Sequence, residues 1–209
     1  MSFEIWTVYV VTVLALMSTP GPSQLLMLSN SGAHGFPRAL STAAGDLSAN
    51  ALQMLAAGLG LAAIIAASAT ALTVIKWAGV AYLIWLGLRM IHRAKPDDPN
   101  LAQTRSRASL GSLWMQGFIT STANPKAVVF FAALFPQFLS PESAFWPQFL
   151  ILSLTYIVMD GLFLSAYGLS ASWIAKRFKG TARVWTERIG GSFMIGAALL
   201  LGAKSIGDR

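Results

Sequence analysis

The chain has 209 residues, of which 55% are hydrophobic and 11% charged, with a formal net charge of +7 and no cysteine. A charged fraction this far below the roughly 25% of soluble domains excludes an ordinary soluble globule, and the lack of cysteine excludes disulfide frameworks, thiolate metal sites and CxxC redox chemistry. Nor does the positive charge point to nucleic acid, because the basic residues lie in connections between apolar runs and form no contiguous patch.

Apolar runs of about 20 residues, each long enough to cross a hydrocarbon core of about 30 Å, recur along the chain and predict six helices. The first covers Glu4–Leu28. Its only charge ahead of the apolar run is Glu4, where a cleavable leader would carry Lys or Arg. Near its middle stands Ser18-Thr19-Pro20-Gly21-Pro22. The second, Arg38–Ala66, carries Asp46, Asn50 and Gln53, and the third covers Leu72–Ile91. The one long polar connection follows at His92–Ser109, with Pro96, Asp97, Asp98, Pro99 and Asn100. The fourth helix, Leu113–Phe135, is interrupted by Ser121-Thr122-Ala123-Asn124-Pro125-Lys126; the fifth, Phe149–Trp173, has Asp160 close to its centre; the sixth covers Trp185–Ala203. The expected fold is an all-α integral membrane protein, one transmembrane domain over 1–209. It divides into a three-helix half at 1–91, a cytoplasmic linker at 92–112 and a second three-helix half at 113–209.

Orientation follows from the basic residues. The connections after helices one, three and five, with adjoining helix ends, hold Arg38, then Arg89, Arg93, Lys95, Arg105 and Arg107, then Lys176, Arg177, Lys179, Arg183 and Arg188. Only Lys76, Lys126, Lys204 and Arg209 lie elsewhere, so those three connections are expected in the cytoplasm and both termini outside. The two halves then have inverted topology.

Both halves place helix breakers at matched depth: Pro20 and Pro22 in the first span, Pro125 in the fourth. Proline removes a backbone donor and clashes with the preceding turn. Groups freed in this way inside lipid persist only where protein or a polar cavity satisfies them. A matching pair of interrupted spans is therefore a pointer to a transporter's binding site, with packing kinks as the bland reading. A half-helix N-terminus suits a carboxylate and exposed carbonyls suit an ammonium, so a break at midplane fits a zwitterion. Thr19, Gly21, Ser23, Gln24 and Asn124 supply small or hydrogen-bonding groups there, either to the substrate or to the broken backbone.

Of the eight acidic residues, six sit in loops or near helix ends, and Asp46 and Asp160 lie within predicted spans two and five. A mid-membrane aspartate costs about 2.5–3.5 kcal/mol on an insertion scale, so it is expected to face the bundle interior with a partner. The functional roles open to these two are counter-ion to a substrate ammonium and proton carrier; the structural role is a fixed buried ion pair. Lys126 sits too deep to snorkel comfortably and has three candidate partners: Asp160, Asp46 or a substrate carboxylate. The ion pair is the preferred of these. Asn50 and Gln53, one and two turns beyond Asp46, extend the polar lining or pack.

The remaining features take bland readings. Trp77, Tyr82, Trp85, Trp146, Trp173 and Trp185 fit aromatic belts. Ala56-x-x-x-Gly60 and Ser192-x-x-x-Gly196 are expected to permit close helix packing. His34 and His92 have no ligand cluster beside them, so neither a metal site nor a cofactor is expected.

Thr19–Pro22, the run from Lys76 to Gly87 (KWAGVAYLIWLG), Asn124-Pro125-Lys126 and Ala132–Phe138 (AALFPQF) occur in an order and spacing that resemble one family, the lysine exporter and homoserine/threonine exporter (LysE/RhtB-type) translocators. The resemblance covers essentially the whole chain and is nearer the homoserine/threonine branch. It implies a six-helix bacterial inner-membrane protein that carries amino acids or close derivatives outward by secondary transport, with a homoserine- or threonine-like neutral solute as first choice. The implied partners are that small solute and the lipid bilayer, with a homo-oligomer left open. Absence of a glycine-rich phosphate loop agrees with ion-gradient drive. Competing readings are a divalent metal-ion exporter, which needs more oxygen and nitrogen ligands than two membrane acids; an intramembrane enzyme, for which no HExxH or GxSxG motif stands in the chain; and a membrane assembly subunit that transports nothing.

Overall fold

The computed structural model describes residues 1–60, 69–93, 108–140, 142–177 and 181–203, and these are helical throughout apart from short connections. The elements in chain order are α1 (Phe3–Ser18), α2 (Pro22–His34), α3 (Phe36–Gly58), α4 (Ala69–Arg93), α5 (Leu110–Thr122), α6 (Pro125–Val129) and α7 (Phe145–Arg177), ending with α8 (Thr181–Ala203). After α6 the chain continues as a π-helical turn, Phe130–Leu134, and a 3-10 turn, Phe135–Phe138. Helices therefore stand at all six predicted positions. Residues 61–66, the end of the second predicted span, and 94–107 of the linker lie outside the described residues.

The sequence sets the helix ends. Ser2 caps α1 by accepting from the Ile5 N–H at 3.3 Å, and Ser109 caps α5 by accepting from Ser112 at 3.1 Å. Pro22 and Pro125 each occupy the first turn of a new helix, where their missing N–H costs nothing. Between α2 and α3 the chain turns at Gly35, whose φ of 81° is open to glycine and strained for other residues.

Among the described residues, Phe145–Ile174 alone is long and apolar enough to cross a membrane unaided, while α1 with α2 and α5 with Lys126–Phe138 reach that length and apolarity only as pairs, bent by 56° and 54°. The bends coincide with the predicted breaks. Helix α7 shows how a membrane helix divides its faces: Leu150, Leu154, Val158 and Leu162 form an exposed apolar stripe, whereas Leu152, Tyr156, Asp160 and Leu164 form the buried one. Trp77, Trp85, Trp146 and Trp173 are exposed, in keeping with aromatic belts. Tyr82 is not of that kind. It turns inward, its hydroxyl donating to the Gln116 carbonyl at 3.3 Å and lying 3.4 Å from the Thr120 hydroxyl.

The closest helix crossings fall at glycines other than those expected. Gly60 and Gly196 have no foreign heavy atom within 4 Å of where a Cβ would stand, so neither serves tight packing. Instead α3 meets α5 backbone to backbone: a Cβ on Gly45 would lie 1.9 Å from the Trp114 carbonyl oxygen, and one on Gly117 would lie 2.0 Å from that of Thr42. Helix α4 crosses α8 in the same manner at Gly87 and Gly191, each facing the other's carbonyl at 2.6 Å. This crossing is reciprocal. Gly87 also meets Met194 and Ile195, and Gly191 meets Met90 and Ile91. Each residue is thus exchanged for one 104 positions away (191−87, 194−90, 195−91), a local two-fold relation between the third helices of the halves. Matching it, α5 packs on α3 while α1 and α2 pack on α7, so each broken span rests on the second helix of the opposite half.

Two unlike interiors result. Tyr9, Phe130, Phe131, Phe135, Phe149 and Tyr156 build one apolar cluster around the ends of α1, α7 and the π turn. At the opposite end of α2 and α3, Asn30, Thr42 and Gln116 are buried together, with the Asn30 amide donating to Thr42 at 2.9 Å and to Gln116 at 3.5 Å.

Gly117→Ala is expected to cost about 1–3 kcal/mol or more, because its methyl would force the two backbones apart. Gly111→Ala, with open space around it, is expected to stay within about 0.5 kcal/mol of wild type. Thermal unfolding of the purified proteins in detergent checks both.

Candidate functional site

The site begins with two carbonyls whose helical donor position is a proline. In an unbroken helix the Leu16 carbonyl would accept from residue 20 and the Ser121 carbonyl from residue 125, and both positions are proline. The Ser121 carbonyl accepts from the Asn124 N–H at 3.1 Å instead, and a distant side chain reaches each of the two. The Lys126 ammonium donates to Leu16 O at 3.0 Å and to Thr19 O at 2.7 Å. The Gln53 amide donates to Ser121 O at 3.3 Å.

The two restarted helices differ at their N-termini. At α6 the Asn124 side chain accepts from the Lys126 N–H at 3.1 Å, which occupies that helix end, and its amide reaches across to Ser23 Oγ at 3.3 Å. At α2 the N-cap is Gly21, which has no side chain to cap with; Gln24 folds back to accept the Gly21 N–H at 3.0 Å. No side-chain cap closes the first turn of α2.

Asp46 on α3 and Asp160 on α7 are each only 3% exposed and lie beside one another. Asn50 joins them, its Nδ2 donating to Asp46 Oδ2 at 2.9 Å and to Asp160 Oδ2 at 2.8 Å. Its own carbonyl oxygen accepts from Ser121 Oγ at 2.8 Å. One amide thus serves two carboxyls, one N–H to each. The second oxygen of Asp46, Oδ1, is buried and has no hydrogen-bond partner.

These groups line one narrow cavity with Leu16, Met17, Ser23, Gln24, Ala127 and Tyr156, whose free volume of about 10 Å³ holds about one water. A solute larger than that enters only if the lining side chains move apart. The cavity offers acceptors at one place, a cation at another and an open helix N-terminus at a third.

Six of the residues singled out in the sequence, Asp160, Asp46, Lys126, Asn124, Gln24 and Asn50, line this cavity. Thr19 contributes through its main-chain oxygen, and Gly21 stands at its edge, where a Cβ would lie 3.5 Å from Lys126 Nζ. Pro20 and Pro125 act by the donors they lack, and Pro22 by starting α2. The expected ion pair of Lys126 with an aspartate is not formed: the ammonium caps the end of α1 instead, because the proline break leaves carbonyls there that nothing else in the bilayer interior can satisfy. Gln53 is likewise a support for the broken backbone. Tyr156 and Ser121 were missed as lining residues. Tyr156 stands four residues before Asp160, and that i, i+4 spacing was the available signal.

A family model for the LysE type translocator matches residues 14–205. The homoserine/homoserine lactone efflux protein of Salmonella typhimurium is 36% identical over 207 residues, covering 98% of this chain and 99% of the relative. An uncharacterized membrane protein of Vibrio cholerae is 32% identical over 204 residues, covering 96% and 98%. The leucine efflux protein of Salmonella choleraesuis is 28% identical over 206 residues, covering 96% and 95%. No solved structure matches.

Asn50→Ala is expected to destabilise the protein by at least about 2 kcal/mol, since it strands Asp46 Oδ2, Asp160 Oδ2 and Ser121 Oγ at about 1–3 kcal/mol per unpaired group. A drop of several degrees in the detergent unfolding midpoint, at unchanged helical content, is the expected reading.

Proposed function

The chain belongs to the LysE type translocator family, a family of transporters and not of enzymes, and we propose that it exports small neutral amino acids or close derivatives, homoserine-like solutes first among them. The single observation that carries this reading is the cavity between the two proline breaks, which two buried aspartates, a lysine and the side chains at a helix N-terminus line together. The names of the relatives support it, since the efflux proteins of Salmonella act on homoserine, its lactone and leucine.

In this reading the solute's ammonium goes to Asp46, whose Oδ1 has a free acceptor, and its carboxylate to the N–H groups at the uncapped first turn of α2. Charge counting then supports proton drive. With both aspartates ionised, the Lys126 ammonium leaves the cavity one negative charge in excess. A solute ammonium cancels it, and so does a proton. The two compete for one vacancy, which is the elementary requirement for exchanging an outgoing solute against an incoming proton. A protein in a bacterial inner membrane would meet the higher proton concentration on its outer side, so protonation there favours release outward.

The chain is read as six crossings in two inverted halves, with the termini outside the cytoplasm. The local two-fold relation between α4 and α8 and the cross-packing of the broken spans support the repeat; the distribution of arginine and lysine supports the orientation. The fixed ammonium in the cavity weighs against a divalent-cation cargo, and among the described residues no three His, Cys, Asp or Glu side chains converge.

Everted membrane vesicles given a labelled amino-acid panel and an imposed proton gradient test the function. Gradient-dependent uptake of a neutral amino acid is expected, reduced at least tenfold in Asp160→Asn at equal membrane abundance. Flux of metal ions alone, or of nothing, counts against the proposal. Orientation is tested in the natural cysteine-free background: Ser2→Cys should react with an impermeant maleimide on intact spheroplasts, and Ser106→Cys only after the membrane is opened.

A further inference from the structure

We propose that Lys126 sets the cargo class of the cavity: its ammonium occupies the carbonyl pair on which a second solute cation would otherwise rest, and so restricts the site to solutes with one ammonium group. The inference rests on the efflux reading above and narrows its substrate class.

The cavity contains two places fit for a cation. One is Asp46 Oδ1, buried and without a partner. The other is the broken end of α1, where Leu16 O has lost its helical donor to Pro20 and Thr19 O stands beside it at the negative end of the helix dipole. Only the first is free. The second holds Lys126 Nζ, at 3.0 and 2.7 Å, and that lysine is delivered from α6, in the opposite half of the chain. Because it is tethered, the lysine occupies the carbonyls at an effective concentration that a dissolved cation cannot match. It is also only half-buried, and its contacts are to neutral oxygens rather than to either aspartate. Lys126 acts on Asp46 and Asp160 only at a distance across the cavity and makes no direct hydrogen bond to either, so their carboxyl oxygens stay open to another cation.

A diamino solute such as lysine would bring one ammonium to Asp46 and a second toward the carbonyl pair, where it meets the like charge of Lys126. A homoserine- or leucine-like solute brings no second cation and meets no such conflict. Lys126→Gln removes the charge that repels the second ammonium while keeping a neutral donor for Leu16 O.

The experiment is vesicle uptake of labelled homoserine, leucine and lysine by wild type, Lys126→Gln and Lys126→Arg at matched membrane abundance. The expected result is a lysine-to-homoserine uptake ratio raised at least tenfold by Gln and held at the wild-type value by Arg. A ratio unchanged in Lys126→Gln, with wild-type flux present, overturns this inference alone and makes Lys126 a helix cap. Wild-type protein that moves no amino acid overturns the efflux reading and this inference with it. Should Lys126→Gln accumulate poorly, thermal stabilisation of purified Lys126→Met by added lysine gives a second reading. Stabilisation of the variant but not of wild type supports the proposal, and equal response or no response in both overturns it.

Discussion

A helix broken by proline inside a membrane has no water to turn to, and this protein is organised around two such breaks. Unsatisfied peptide groups in hydrocarbon cost several kcal/mol each, so a broken crossing helix survives only beside groups that complete it. Leu16 O, whose helical donor position is Pro20, takes Lys126, while Ser121 O accepts from the Asn124 N–H and takes Gln53 as a second donor. Those contacts tie the helices together: α6 has to reach the end of α1, and α3 has to lie against α5. The glycines at 45 and 117 then make the second approach possible, since any side chain there would hold the backbones apart.

Once the breaks are pinned, the polar groups of the interior have a common address. Asp46, Asn50 and Thr42 share a face of α3 at four-residue intervals, and Asp160 and Tyr156 share a face of α7. The asparagine between the acids is the economical choice for that position, because one primary amide carries two N–H donors and can serve both. The other hydrogen bonds around the cavity use main-chain oxygens, hydroxyls and side-chain amides. Neutral groups thus surround the aspartates and the lysine, and Lys126 makes no direct hydrogen bond to either acid.

Much of this was legible beforehand, for identifiable reasons. Breakers at Pro20, Pro22 and Pro125 and acids at 46 and 160 are conspicuous in an apolar background, and their consequences are local. Lys126 was placed correctly and paired wrongly, because charge alone suggests an aspartate while the orphaned Leu16 carbonyl becomes visible only when residue 20 is counted back by four. The packing glycines were misjudged for a different reason. A small-x-x-x-small pattern marks the possibility of close approach, and which helix arrives is decided by the whole arrangement: Gly60 and Gly196 face open space, while Gly87 meets Gly191. Tyr82 looked like a belt residue from its neighbours, and its inward turn depends on Gln116 and Thr120 of another helix.

The cross-packing of the halves has a mechanical consequence. One wall of the cavity is α3 with α5 and α6; the other is α1 and α2 with α7. Within the first, the main chains touch, and within the second Gly168 nestles against Met27 and Ser31. Between the walls run a handful of side-chain hydrogen bonds: Asn50 to Asp160, Asn124 to Ser23, Lys126 to Leu16 and Thr19, Asn30 to Thr42. These are bonds that an ammonium and a carboxylate can imitate. A group of that chemistry reaching the seam would compete for its stitches, and the walls would part along the line where they are sewn.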